Sequence, residues 1–413
     1  MRILHTSDWH LGRSLLGKRR YAEFTQLLDW MLQCIEQWQI EVLIIAGDIF
    51  DTTTPSVTAQ DQYYNFLASA ATKTNCRHIV VIGGNHDSAS FLNAPGAILK
   101  NLNVHVVGQA CENIQDEVLL LDNSEGDVGL VIAAVPFLSD RDIRHYVPLE
   151  SLADKDLRVV EAYHQHYHQV AEHATQLAAQ HAVPMVATGH LFMTGGLTLE
   201  GDGVRDLYVG TLGQLKTDLF SPNFNYVALG HIHQAQKIAG LNHIRYSGSP
   251  LPMCFDECRR PKNVLIVDFD EHHEAQVTAV TIPTFQRLEK ISGDLKSLLS
   301  QLEALKTLDE SIWLEVTYQS DELQPNLRAI LMEQIKDSSI EILKLINHQR
   351  QSLHLQSAGE LERLNELRVE DVFNRLLDRQ NIPATQRIDL LNTYQETLHR
   401  LQQDEETELS QRN

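Results

Sequence analysis

Five apolar runs in this sequence finish on residues that are costly to bury. RILHTS leads into SDWHLG and delivers Asp8 and His10, and EVLIIAG leads into GDIFD and delivers Asp48 and Asp51. VVIGG stops on Asn85, His86 and Asp87, PMVATG on His190, and NYVALG on His231 and His233. A carboxylate, amide or imidazole at the end of a buried strand loses its hydration unless something there compensates it. In open α/β sheets, ligands bind just outside the carboxyl ends of the strands. The chain is therefore constrained twice: these runs must form strands ending at one edge, and that edge must hold a cation.

One such exit alone reads as an ordinary turn; five of ligand type in one chain do not. Carboxylate, imidazole and amide oxygen together favour Mn, Fe or Zn over Ca or Mg. On extended backbone, residues two apart, such as Asp8/His10 and His231/His233, have Cα atoms ~6.6 Å apart. That spacing suits ligands reaching two ions ~3.5–4 Å apart. Glycine before Asp48, Asn85, His190 and His231 is expected to let the backbone turn sharply there. The remaining histidines read differently. His164, His166 and His168 in YHQHYHQ fall on an expected solvated helix face, His272 and His273 on a hairpin turn, and His5 inside the first strand. Trp9 lies between ligands as either core or a wall of the site.

Strands and helices alternate over the first two thirds, with amphipathic helices expected over 21–38, 57–72 and 151–182. Strands in succession follow to about residue 281, so the pattern predicts stacked mixed sheets with helices outside. Pro283 marks a boundary. Beyond it a helix near 294–306, a strand SIWLEVTY, a helix NLRAILMEQIKD and a strand IEILKLI make a compact α+β module. Two further amphipathic helices flank Pro383 before an acidic tail. In the first of them Leu361, Leu364, Leu367, Val372, Phe373, Leu376 and Leu377 give an apolar stripe too generous for a free helix. It is expected to dock on a partner rather than on the chain's own module.

A chain of 413 residues suits two or three domains. With 43% hydrophobic and 22% charged residues it reads as globular. No run nears the ~20 apolar residues of a membrane span. The first residues lack a secretory pattern and the five cysteines are scattered, so a cytoplasmic protein without disulfides is expected. A net charge of −21 argues against gripping nucleic acid by bulk attraction. A DNA substrate stays open, because cations, local basic patches or a partner can supply the positive charge. LGRSLLGKRRY follows the first ligands directly, so Arg13, Lys18, Arg19 and Arg20 are either DNA-phosphate contacts or a solvated basic loop.

The segments DxHxG (8–12), GDxxD (47–51), GNHD (84–87), GH (189–190) and GHxH (230–233) match, in order, the calcineurin-like metallophosphoesterase signature. The surrounding text, including HTSDWHLG, AGDIFD, ATGHL, VRDLYVGTL, YVALGHIH, RYSGSP and LRVEDVFNRLL, resembles the SbcD-type nuclease subunits over nearly the whole chain. The resemblance implies an α/β fold: a four-layer sandwich of two mixed β-sheets flanked by helices, a small α+β capping domain and C-terminal helices. The domains would span 1–282, 283–349 and 350–413. It implies two divalent ions, by family habit Mn2+. Asp8, His10, Asp48 and His233 would hold the first, with Asp48 bridging, and Asn85, His190 and His231 would complete the second. His86 would face the scissile phosphate without ligating, and Asp51 would pair with it. The implied activity is exonuclease on duplex ends and endonuclease on hairpins or single strands, in recombination, replication and repair. The implied partner is an SbcC-type SMC-like ATPase, in a heterotetramer with two nuclease subunits, and the place of action is the nucleoid. Arg205 and Tyr208 belong to the same text without a physical role. A small-molecule phosphoesterase using the same cluster, or a scaffold with structural metals, are the competing readings.

Overall fold

The computed structural model describes residues 1–139, 142, 152–196, 215–320 and 324–347. The remaining residues, among them Arg205, Tyr208 and the whole of 348–413 with its apolar stripe from Leu361 to Leu377, lie outside this description. Met1–Asn347 forms one compact unit.

In chain order the elements open with β1 (Ile3–Thr6), a two-residue-per-strand hairpin of β2 (Ser14–Leu15) and β3 (Lys18–Arg19), α1 (Tyr21–Gln37) and β4 (Val42–Ala46). Next come α2 (Val57–Lys73), β5 (His78–Ile82), two short helices α3 (Ala89–Asn93) and α4 (Gly96–Leu99), β6 (Val104–Val107), β7 (Val118–Asp122) and β8 (Val128–Ala133). The 30-residue α5 (Leu152–His181) precedes β9 (Met185–His190), β10 (Tyr226–Gly230), β11 (Gln236–Lys237), β12 (Ile244–Tyr246), β13 (Asn263–Phe269) and β14 (Ala275–Thr281). The last part holds β15 (Arg287–Gly293), α6 (Leu295–Lys306), β16 (Ile312–Tyr318), α7 (Leu327–Gln334) and β17 (Ile340–Asn347).

Two six-stranded mixed sheets stack face to face, in the orders β14-β13-β1-β4-β5-β6 and β11-β12-β10-β9-β8-β7. β4 (VLIIA) and β5 (HIVVI) are buried throughout, as parallel strands covered on both faces require. Alternate residues of each strand face opposite ways. Ile44 and Ile82 of the first sheet meet Ile132, Val186 and Ala228 of the second between the sheets. Leu43, Ile45 and Val81 point outward under α1 and α2. α1 brings Phe24, Leu27, Leu28, Met31 and Ile35, a spacing of three and four that places one apolar stripe on the sheet. Ser56 caps α2 by accepting from the Ala59 N–H. α5 covers the outer face of the second sheet with Tyr163, Tyr167 and Val170. The four-layer α/β sandwich is thus present. Among the described residues no helix is long and apolar enough to cross a membrane.

The module after Pro283 differs from expectation in two ways. It begins with a strand, β15, whose text RLEKISG buries Leu288 on one face and Ile291 on the other, and all three strands run parallel in the order β15-β16-β17. It is therefore a β-α-β-α-β unit with its own core of Leu298, Leu302, Leu314, Val316 and Leu331. It also packs into the same compact unit as the sandwich, although the sheets divide at the proline.

Candidate metal centre

β1, β4, β5, β9 and β10 are neighbours within their two sheets, and their carboxyl ends open at one edge, where the predicted residues meet. Three groups of ligand atoms each lie within 4.8 Å: Asp8, His10 and His233; His10, Asp48 and His86; Asp8, Asp48 and His190. Asp8, His10 and His190 are fully buried, and Asp48 nearly so. The ordinary turn conformations do not suffice to aim them. Asp8, His10, Asp48 and His231 all have positive φ (54°, 48°, 51° and 103°), a backbone state that costs ~1–3 kcal/mol per non-glycine residue and clusters at functional sites. The strain is held by bonds between exits: Asp8 N–H to Gly47 O at 3.0 Å, His10 N–H to Asp48 O at 3.0 Å and Leu11 N–H to Ile49 O at 2.9 Å.

The glycines act mainly by close approach rather than by turning. Only Gly47 of the four has left-handed φ. A Cβ on Gly84 would lie 2.2 Å from the Asp48 nitrogen, and one on Gly230 would lie 1.9 Å from the Ala46 oxygen. The strand ends therefore touch backbone to backbone, which draws the ligands of different strands together.

The donor set fits cations. His10 Nε2 and His233 Nε2 face each other at 3.1 Å, with Asp48 Oδ2 3.6 Å from the former. On the other side, His190 Nδ1 donates to Ala46 O at 2.9 Å, so a neutral His190 presents only a lone pair on Nε2. That nitrogen faces Asp48 Oδ2 at 3.3 Å and Asn85 Oδ1 at 3.1 Å, and Asn85 Oδ1 also lies 3.0 Å from His231 Nδ1. Acceptors turned on one another in a dry site need a proton or a metal between them. Burial opposes charge on His190, yet Asp48 and Asp8 outweigh it and raise its pKa to about 9: a proton occupies the demand a cation would fill. Burial, with His190 adding to it, drops His231 to about 3, and burial with His10 keeps His233 well below its ordinary value, so both are neutral donors. Burial and then Asp48 push the Asp8 carboxyl up, against the pull of His190. Burial is likewise the largest influence on Asp48, but His190 and His10 overcome it and hold it ionised. Asp48 Oδ2 thus sits between two donor sets.

His86 and Asp51 are arranged differently from the expected pair. His86 Nδ1 donates to the backbone carbonyl of Asp51 at 2.9 Å. The Asp51 carboxylate instead lies 3.5 Å from His10 Nδ1 and 3.3 Å from Arg13 Nη1. Partial burial disfavours its charge, but His10 and Arg13 pull it below the usual carboxylate range. The His86 ring packs edge-on against His10 at 4.8 Å between ring centres, and the His86 backbone N–H donates to Asp48 Oδ1 at 2.8 Å.

Several of the other sequence readings change too. Arg20 is buried, donates from Nε and Nη2 to both carboxylate oxygens of Glu23, at 2.7 and 2.8 Å, and from Nη1 to Pro252 O at 2.7 Å, so it is structural and not available to DNA. Lys18 pairs with Glu341, and Arg19 is exposed. His166 is not solvated: its Nε2 lies 2.8 Å from the fully buried Glu117, and only His168 of the three helix histidines is exposed. Trp9 is core, donating to Thr6 Oγ1 and packing on Phe66. His5 is buried in its strand, and His273 turns the β13–β14 hairpin with φ 61°.

The sequence reading gave no role to five residues that support the site. Asp87 accepts from the N–H groups of Ile49, Phe50 and Gly84, tying two exits together, and burial with Asp48 beside it lifts its pKa to about 6. Ser247 meets Ser7 Oγ at 2.7 Å, and Ser7 donates to Asp8 Oδ2 at 2.5 Å. Lys262 donates to the His233 carbonyl at 3.1 Å and pairs with buried Glu257. Only Asp87 had a local signal, closing the motif GNHD. Ser7 adjoins Asp8, but its partner Ser247 lies 240 positions away, and Lys262 lies 29 positions from His233.

Comparison with known proteins agrees with this architecture. Residues 1–235 match the family described as calcineurin-like phosphoesterase, and 284–381 match a family described as type 5 capsule protein repressor C-terminal domain. Such a sandwich with a histidine- and carboxylate-lined edge defines a calcineurin-like metallophosphoesterase that binds divalent metal. The SbcD subunit of nuclease SbcCD from Escherichia coli (strain K12) is 36% identical over 97% of this chain and 98% of its own length. The SbcD protein of Bacillus subtilis (strain 168) is 32% identical over 76% of this chain and 78% of its own. That of Rhodobacter capsulatus is 33% identical over 65% and 66%. Within the phosphoesterases, this chain belongs to the SbcD family of SbcCD nuclease subunits.

Proposed function

We propose that the chain is the nuclease subunit of an SbcC–SbcD-type complex and hydrolyses DNA phosphodiesters with two divalent cations. The observation that carries this reading is the convergence of seven metal-type donors with His86 at one sheet edge; the relatives' name supports DNA processing. Asp8, His10, Asp48 and His233 would hold one cation, and Asn85, His190 and His231 would complete the site of the other, with Asp48 shared. Manganese suits this mixture of oxygen and imidazole donors. When bound, the two cations supply the Lewis acidity that activates water and neutralises charge on the phosphate.

The chain's own groups do the rest. Donation from Nδ1 to Asp51 O leaves Nε2 as the site of the exchangeable proton: the imidazolium gives its Nε2 proton to the leaving oxygen and becomes the neutral imidazole, its Nδ1–H still on Asp51 O. An imidazole with a reference pKa near 6.5 suits that exchange near neutrality. Asp51 orients His10 and Arg13. Arg13, Lys18 and Arg19 take DNA phosphates, which position the strand without reading sequence. The activity is exonucleolytic on duplex ends and endonucleolytic on hairpins and single strands, serving recombination, replication and repair. The C-terminal segment from residue 350, with its leucine-rich stripe, docks on an SbcC-type SMC-like ATPase in a heterotetramer, in the cytoplasm at the nucleoid.

The test is cleavage of an end-labelled hairpin DNA by the purified chain with manganese, magnesium or chelator, beside a phosphomonoester. Manganese-dependent DNA cleavage is expected. Ester hydrolysis with intact DNA, even after the ATPase is added, would overturn the reading in favour of a small-molecule phosphoesterase.

A further inference from the structure

A parallel sheet is stable only with both faces covered. In the module, α6 and α7 cover one face, packing on Ile312, Leu314, Val316 and Tyr318 of β16. The alternate residues point the other way, and Leu288 and Trp313 there are covered by Phe255 and by Leu15 of the β2–β3 hairpin. Leu343 of β17 and Cys258 pack against the same cluster. Polar contacts ring it: Lys18 of the hairpin pairs with Glu341, and Lys290 pairs with Asp256 at 2.5 Å and Glu315 at 2.9 Å.

The hairpin on the other side of this seam cannot stand alone. It has two residues per strand, Ser14↔Arg19 and Leu15↔Lys18, and isolated hairpins even of ordinary length are marginal in water. Its tip, Leu16, has φ 48° and is exposed, whereas Leu15 is 6% exposed against the module. The hairpin starts four residues after His10, and the Arg13 N–H donates to the His10 carbonyl at 3.0 Å. The ligands themselves are anchored separately, by the bonds of Asp8 and His10 to Gly47 and Asp48. The module therefore bears directly on the basic hairpin, and reaches the metal ligands only at one remove, through the 255–257 turn and the Glu257–Lys262 pair behind the His233 carbonyl.

We infer that Trp313, through the apolar cluster it shares with Leu15, is a positioning residue for substrate selection: the module's helix-free sheet face holds the basic hairpin beside the metal centre, favouring polymeric DNA over small phosphodiesters. The inference rests on the nuclease reading. Losing that packing loosens the hairpin that carries Lys18 and Arg19, which act on a strand extending beyond the scissile phosphate. A diester too small to reach the hairpin is hydrolysed as before.

The test compares hairpin DNA with bis(p-nitrophenyl) phosphate as substrates of the full-length manganese-loaded chain, for wild type, Trp313→Ala, Leu15→Ala, the double variant and Trp313→Phe. The single alanine variants are expected to raise KM for DNA ~10-fold, with kcat within ~3-fold, the mark of lost uniform binding. Ester hydrolysis holds within ~2-fold, the double variant loses no more than either single one because the two residues belong to one cluster, and Trp313→Phe restores most of the loss. Amide exchange should speed up over 13–19 and not over 8–10 in Trp313→Ala, a readout independent of activity. Equal loss on both substrates, faster exchange at the ligands, or unchanged DNA kinetics overturns the inference. Wild type that hydrolyses the ester and never DNA overturns the nuclease reading instead.

Discussion

Replacing Asp51 by Asn separates two accounts of how His86 is oriented. If the carboxylate held the imidazole, loss of its charge would disturb the tautomer and cost orders of magnitude in turnover at any metal concentration, as removal of the orienting carboxylate does in Ser-His-Asp sites. Here the backbone carbonyl of residue 51 accepts from His86 Nδ1, and a side-chain change leaves it in place. What Asp51→Asn removes is the negative charge 3.5 Å from His10 Nδ1 and 3.3 Å from Arg13. Partners behind a ligating histidine are worth ~10–100-fold in metal affinity, or ~1.4–2.7 kcal/mol. The expected result is a manganese dependence displaced upward by that factor, with kcat at saturating metal within ~3-fold of wild type. A kcat that stays ~10³-fold down at saturating manganese would refute the carbonyl assignment.

Three further outcomes follow from the same geometry. His86→Ala should lower turnover ~10²–10⁴-fold while still binding two manganese ions, counted by calorimetry; loss of both ions would make it a ligand instead. Gly230→Ala puts a methyl 1.9 Å from the Ala46 oxygen, so it should cost ~1–3 kcal/mol of stability in denaturant unfolding and weaken metal binding, and a neutral effect would contradict the close approach of β10 to β4. His5, bonded to Tyr226 and the Leu229 carbonyl, has its pKa lowered to about 3 chiefly by burial. The unfolded chain therefore binds this proton more readily; the stability His5 contributes is whole above pH ~6.5 and is lost at ~1.4 kcal/mol per pH unit as pH falls toward 3. His5→Gln should flatten part of that slope between pH 6.5 and 4.5, and an unchanged slope would contradict it.

What the sequence discloses and what it hides divide along physical lines. The strands and the ligands at their ends are local features: each exit pairs an apolar run with Asp, Asn or His, and the structure draws Asp8, His10, Asp48, Asn85, His190, His231 and His233 together. Hidden are the interactions carried by backbone and by distant partners. The Asp51 carbonyl has no letter in a sequence, so the side chain was the natural candidate to hold His86. Arg20 looks identical to Arg19 until the chain folds, when one is buried on Glu23 and the other exposed. β15 escapes notice because its second face, Leu288 and Lys290, meets the hairpin and the 255–257 turn rather than solvent or a helix. His166 reads as solvated because Glu117, its partner, lies 49 positions away.

The central claim is that Asp48 bridges two cations with His86 outside both coordination shells. Anomalous scattering from crystals grown in manganese measures this directly. The expected map has two peaks ~3.5–4 Å apart, both within bonding distance of Asp48, one beside His10 and His233 and the other beside Asn85, His190 and His231. A single peak, or a peak bonded to His86, would contradict it.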